Sequence, residues 1–252
     1  MGRRGGEATF VRIPRFHVPE AGPGARLELP EHSAHHAREV LRLRAGSTIR
    51  VFDGRGNEYE GTLDQVSRQT VSVRLGAAAP ARLESPLRIV LGLPPLKGDR
   101  METALQKATE LGVAEVWPVV TARTDTAARP ALHGSRQDRW EKVASGAAEQ
   151  CGRAVVPIVT SAMTLDDLLN APFGGLRLLF EAIPHPRPLA GFPKPSSVLL
   201  LVGPPGGWDD HEFARLSAAG FEPTSLGPRI LRTETAAIAA VTAAQVLWGD
   251  LG

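Results

Sequence analysis

Arg229 and Arg232 stand between a Gly-Pro turn and an alanine-rich stretch in "LGPRILRTETAAIAAVTAAQVL", residues 226–247, with Thr233, Glu234 and Thr235 directly behind them. The alanines predict a helix. Its first N–H groups lack intrahelical acceptors, so with the arginines they favour a carboxylate or phosphate. Arginine stays protonated, which suits Arg232 to stabilising an anion and not to removing a proton. Glu234 is a base, an orienter of Arg232, or simply an acid in a first helical turn. Thr233 is equally suited to capping that helix. Two further loops share this character: "FEAIPHPRP" after the apolar run ending at Phe180, and "VGPPGGW" after the run ending at Val202. Glycine lets a ligand approach the main chain closely, and proline holds a loop open without adding a donor.

Other chemistries lack their residues. Neither a Gly-x-Gly-x-x-Gly fingerprint nor a Gly-x-x-x-x-Gly-Lys-Ser/Thr loop occurs, which argues against the common dinucleotide and nucleoside-triphosphate sites. His32, His35 and His36 lie close together without a carboxylate or cysteine at ligand spacing, so no metal is expected. No nucleophile-elbow motif accompanies a Ser-His-Asp set.

The elements that must hold these loops fall into two groups. Up to Leu75 the pattern is mostly of strands, as in "TFVRIPRFHV", "TIRVFDGRGNEYEGTL" with its central turn, and "TVSVRL". One helix, "EHSAHHAREVLRL", interrupts them, and the group predicts a small β-barrel. "GAAAPARLESP", residues 76–86, has the composition of a linker. Beyond it, strands and helices alternate, and the apolar run "SVLLLVG" reads as a strand buried on both faces. This order predicts a mostly parallel α/β sheet covered on both sides, with ligands beyond the carboxyl ends of its strands. Residues 1–80 hold 12 arginines against 9 acids, an excess that marks either an RNA-contacting domain or a solvated arginine-rich surface. No apolar run reaches membrane-spanning length, and the single Cys151 agrees with a reducing cytoplasm, so a cytoplasmic protein is expected.

"LVGPPGGW", followed after a helix by "LGPRILRTETAAIAAVTAAQVLWGDLG", resembles the C-terminal signature of the RsmE family. "RIPRF", "FDGRGNEYEG", "LKGDRMETALQKATELGV" and "AAEQCGR" look like further landmarks in family order. The resemblance implies a PUA-like RNA-binding domain over 1–80 and a SPOUT-type methyltransferase domain with a trefoil knot over 81–252. It implies a homodimer that methylates N3 of uridine 1498 in 16S rRNA of the small ribosomal subunit. S-adenosylmethionine would lie against Phe180, Glu181, Leu201, Val202, Gly203, Gly206 and Gly207, and against Leu226, Gly227, Ile230, Leu231, Arg232 and Thr235.

Losing the uracil N3 proton requires a base, or cationic donors that stabilise the anion on its carbonyl oxygens. Arg232, Glu234 and Arg15 are the catalytic candidates. Arg12, Arg15, Lys97, Gln106, Gln150 and Arg153 are the candidate RNA contacts. Gln106 and Glu110 share a helix face, which is either functional or merely solvated. One departure stands out: the family loop usually reads Gly-Pro-Glu-Gly-Gly, and here Pro205 replaces the glutamate and removes a backbone donor. Two rival functions remain open, a related enzyme for another RNA position and a catalytically silent RNA-binding assembly factor.

Overall fold

The computed structural model describes residues 13–125, 136–181 and 186–252, so Arg12 lies outside the described residues. Two compact units divide between Arg82 and Leu83.

In the first unit, β1 (Arg15–His17), β2 (Arg26–Glu28), β3 (Thr48–Phe52), β4 (Glu58–Val66) and β5 (Val71–Ala79) form one five-stranded sheet in the order β1-β3-β4-β5-β2. Strand β1 is parallel to β3 and the other pairings are antiparallel. Alternation on β5 sends Val71, Val73 and Leu75 into a core with Phe16, Ile49, Val51 and Leu63. The strand pattern predicts a small β-barrel; among the described residues its five strands pair along one path whose two edge strands are three residues each. Strand β5 also runs on through "GAAA", because Ala78 and Ala79 pair with Tyr59 and Glu58, so pairing overrides the linker-like composition. In the β3–β4 turn, burial pushes the Asp53 carboxyl up. Bonds from the Asn57 side chain and from Arg55 outweigh that and hold it below its ordinary value. Helix α1 (Glu31–His35) continues into a wider π-helical turn, His36–Val40.

Arg15 is a correction to the sequence reading. Its guanidinium makes a two-pronged pair with the Glu58 carboxylate, at 2.9 and 3.1 Å, and stacks over Phe52. With side-chain exposures of 9% and 3%, the two groups neutralise each other inside the unit, and Arg15 is not an exposed phosphate contact.

The second unit contains β6 (Arg88–Leu93), β7 (Glu115–Val120), β8 (Ile158–Val159), β9 (Met163–Thr164), β10 (Leu176–Phe180), β11 (Arg187–Pro188), β12 (Ser197–Val202) and β13 (Glu222–Ser225). Its helices are α2 (Arg100–Glu110), α3 (Gln137–Cys151), α4 (Leu165–Asn170), α5 (Asp210–Ala218) and α6 (Thr233–Trp248). The strand order is β11-β13-β10-β12-β6-β7-β8, with β9 also on β7, and every described pairing is parallel. Alternate residues feed two cores. Ile89, Leu91, Leu178, Val198 and Leu200 face α2, α3 and α6, and Val90, Leu179, Leu199 and Leu201 face α4 and α5. Ala237, Ala240 and Ala244 bring α6 close to the sheet. Capping boxes at Thr164–Asp167 and Asp209–Glu212 start α4 and α5.

Arg153 also departs from the expectation of an RNA contact. It is buried, donates to the Glu84 carboxylate, and donates to the carbonyls of Thr109 and Val113 at 2.8 and 3.0 Å. Thr109 is in the last turn of α2 and Val113 just beyond it, so Arg153 ties the end of α2 to the chain that follows. Among the described residues, no helix is long and apolar enough to cross a membrane, and no cluster of His, Cys, Asp and Glu has the makings of a metal site.

Candidate active site

Strands β13, β10 and β12 are parallel neighbours, and their carboxyl ends lie at one level: Phe180 is in register with Val202 on one side and Thr224 on the other. The three Gly- and Pro-rich segments therefore leave the sheet side by side, where open parallel sheets present ligand sites. Between them is an open cleft, walled by Phe180 and Glu181, by Val202, Gly203, Pro204, Pro205 and Gly207, and by the 225–231 segment with Thr233 and Ala236.

Local bonds fix each wall. The buried Thr233 hydroxyl donates to the Gly203 carbonyl at 3.0 Å, tying the start of α6 to the loop after β12. Arg232 takes the N-cap position with extended backbone, and its carbonyl accepts from Ala236 N–H at 2.8 Å. Gly203 lies against the Trp208 indole. A Cβ there would fall 2.7 Å from Nε1, itself buried and without a hydrogen-bond partner among the described residues. Gly207 closes a turn, donating to the Pro204 carbonyl at 2.9 Å, and the next N–H, of Trp208, points to Glu181 Oε2 at 3.5 Å. Gly227 has φ 99°, a left-handed conformation costly for any side chain, and nothing lies within 4 Å of where its Cβ would be.

Most of the expected cofactor residues meet at this cleft: Phe180, Glu181, Val202, Gly203, Gly207, Leu226, Gly227, Ile230 and Leu231 line it. Leu201 does not. It points into the core under α5, because β12 alternates and Val202 takes the other face. Gly206 turns to the outside, its carbonyl accepting from Arg123 Nη1 at 2.9 Å. Arg232 and Thr235 are exposed beside the cleft without lining it. Among the described residues the Arg232 guanidinium has no partner, whereas one Glu234 carboxylate oxygen is buried and accepts no hydrogen bond. Lys97 is paired with Asp125 at 2.7 Å, Gln106 and Gln150 are exposed on α2 and α3, and Glu110 is held by Lys107. The residues expected to hold the cofactor did not include Pro204, Pro205, Ser225, Arg229 or Ala236, and Thr233 was read only as a cap. Arg229 was visible as the first of the two arginines in that segment.

The walls combine apolar side chains, exposed glycine backbone, the Glu181 carboxylate and the Arg229 guanidinium. Such a set fits a ligand with an apolar body and a zwitterionic amino-acid end, the chemistry of S-adenosylmethionine.

A family model described as an RNA methyltransferase domain matches residues 83–245, and one described as an RNA methyltransferase PUA domain matches 29–76. A Bacillus subtilis relative named ribosomal RNA small subunit methyltransferase E is 31% identical, over 96% of this chain and 98% of its own. The chain belongs to that family. Among solved structures, a Legionella pneumophila protein holding the cofactor SAM is 36% identical with a TM-score of 0.90, covering 96% of this chain and all of its own (100%). The family's member from Neisseria gonorrhoeae, bound to S-adenosylmethionine, is 35% identical with a TM-score of 0.87 over the same shares, 96% and 100%. Family membership thus gives the α/β parallel-sheet unit its methyltransferase character and the first unit its PUA type.

Proposed function

We propose that the chain binds S-adenosylmethionine in this cleft and methylates N3 of uridine 1498 in 16S rRNA of the small ribosomal subunit. The observation that carries the reading is the meeting of three segments, which start at Phe180, Val202 and Ser225, at one level over adjacent strand ends, with Arg232 beside them at the helix start and unpartnered among the described residues. When bound, S-adenosylmethionine supplies an activated methyl group on a sulfonium.

The chain's own residues then have separate tasks. Phe180, Val202, Leu226 and Leu231 take the apolar part of the ligand, and the backbone of Gly203, Gly207 and Gly227 allows close approach. Glu181 and Arg229 match the ammonium and carboxylate of its amino-acid end. Arg232 stabilises the uracil anion at its carbonyl oxygens, and Glu234, whose buried oxygen has no donor, accepts the N3 proton. Thr233 positions both by anchoring their helix to Gly203.

Residues 1–80 serve as the RNA-binding domain and 81–252 as the methyltransferase domain, of SPOUT type and knotted, on the strength of the family resemblance. Lys97, Gln106 and Gln150 remain RNA contacts in this reading. The homodimer is supported by Val246 and Leu247, apolar side chains left 50% and 43% exposed on α6. A ribosomal substrate places the enzyme in the cytoplasm. The test is methyl transfer from labelled S-adenosylmethionine to small subunits that lack the modification. We expect incorporation approaching one methyl group per subunit, and no incorporation would refute the reading.

A further inference from the structure

Away from the cleft, the first unit carries a surface feature that methyl transfer does not use. Helix α1 widens into a π turn, with Leu41 N–H donating to the His36 carbonyl, five residues back, at 2.9 Å. The turn ends on Arg42, whose φ of 52° makes it the non-glycine residue with left-handed backbone among those described. That position, just past a helix end, normally selects glycine, which adopts it without strain. An arginine kept there needs another reason. Left-handed residues and π turns both concentrate at functional sites.

Around Arg42 the surface is apolar at the tip and cationic at its rim. Val40 is 64% exposed and Leu41 39%. Arg42 and Arg44 are exposed, and among the described residues their guanidiniums have neither a hydrogen bond nor an ion pair. The nearby acid, Glu39, is already neutralised by Arg38 at 2.6 Å, and the same arginine donates to the carbonyls of Ser67 and Arg68 at 3.1 and 3.2 Å. Arg38 thereby clips the β4–β5 turn to the helix, while Arg68 lies with Glu28, Glu31 and His35 on the other side of α1.

We propose that this tip, Val40 and Leu41 with Arg42 and Arg44 directly after them, is a docking surface for the sugar-phosphate backbone of ribosomal RNA. Unpaired arginines complement phosphates, and the two apolar side chains suit the face of an unstacked base or a sugar edge. It replaces Arg15, whose charge is spent on Glu58, as the first unit's phosphate contact. The inference rests on the RNA-methyltransferase reading above and adds where on the first unit the RNA lies.

The decisive variant is Arg42→Gly, because a purely structural role and an RNA role predict opposite results. Glycine relieves the left-handed backbone, so thermal stability should hold or rise. Loss of one phosphate contact should weaken binding about fivefold near physiological salt and lower the slope of log affinity against log salt by roughly 0.9. Val40→Asp should weaken binding as well. Filter binding of the full chain to unmodified small subunits and to naked 16S rRNA gives both numbers, and S-adenosylmethionine affinity should stay at the wild-type value. Unchanged affinity and slope in Arg42→Gly would overturn the surface, and the wild type's methylation of the same subunits would leave the enzymatic reading standing. A loss seen only with intact subunits and not with naked RNA would make the partner a ribosomal protein and overturn the RNA assignment. A wild type that methylates neither RNA overturns both.

Discussion

Arg232→Ala is expected to lower the rate of methyl transfer by about a hundredfold to a thousandfold, roughly 2.7–4 kcal/mol of barrier, while leaving S-adenosylmethionine affinity within about threefold. The separation follows from the geometry. The Arg232 backbone is fixed by its place at the start of α6, through the bond to Ala236 and the Thr233–Gly203 contact next to it. Its guanidinium, by contrast, stands outside the cleft walls with no partner among the described residues. A rigid backbone with an unengaged charge suits a transition state in which the uracil ring becomes an anion, since only interactions stronger there than in the ground state raise turnover. The variant's activity should also climb more steeply with pH than the wild type's, because solution then removes the proton that Arg232 helps to release. Single-turnover methylation across pH, with calorimetry for the cofactor, measures both. Equal losses in binding and turnover would make Arg232 a cofactor or folding residue.

Gly227→Val should weaken S-adenosylmethionine binding by about thirtyfold, the equivalent of about 2 kcal/mol. Valine is strained at φ 99°, so either the 226–231 segment shifts or its side chain projects into the space that now lies free beside the cleft wall. Either change falls on a wall of the site. Gly206→Val is the matched control: it faces away, and a Cβ would touch only the aliphatic stem of Arg123, at 3.4 Å and beyond. Its affinity should remain within about threefold of wild type. Calorimetric titration of both variants decides the point. If Gly206→Val proves the more damaging, the orientation of the loop after β12 assigned above is wrong.

The alternation of strands and helices, the double-faced burial of β12 and the α6 helix were legible because apolar periodicity reports burial directly. The three loops were legible because glycine and proline mark where regular structure stops and backbone is exposed. Other features were hidden for physical reasons. Strands β2, β9 and β11 are only two or three residues long, too short for a period to register. The outward turn of Gly206 depends on Arg123, which is far away in the chain. Arg15 and Arg153 looked like RNA contacts because they stand in the family landmarks "RIPRF" and "AAEQCGR". Their partners, Glu58 and Glu84, lie 43 and 69 residues away and are found only by folding. Leu201 came to the cleft with the family resemblance, and the alternation of β12 turns its side chain to the face opposite Val202.

The central claim is that the cleft delivers a methyl group to one imide nitrogen of 16S rRNA. Its most direct measurement is mass mapping of 16S rRNA from unmodified small subunits after incubation with the protein and S-adenosylmethionine. The account predicts a single added methyl group at N3 of uridine 1498, present with the wild type and strongly reduced with Arg232→Ala. A methyl group on another atom or another nucleotide, or RNA left unmodified by a protein that binds the cofactor, would contradict it.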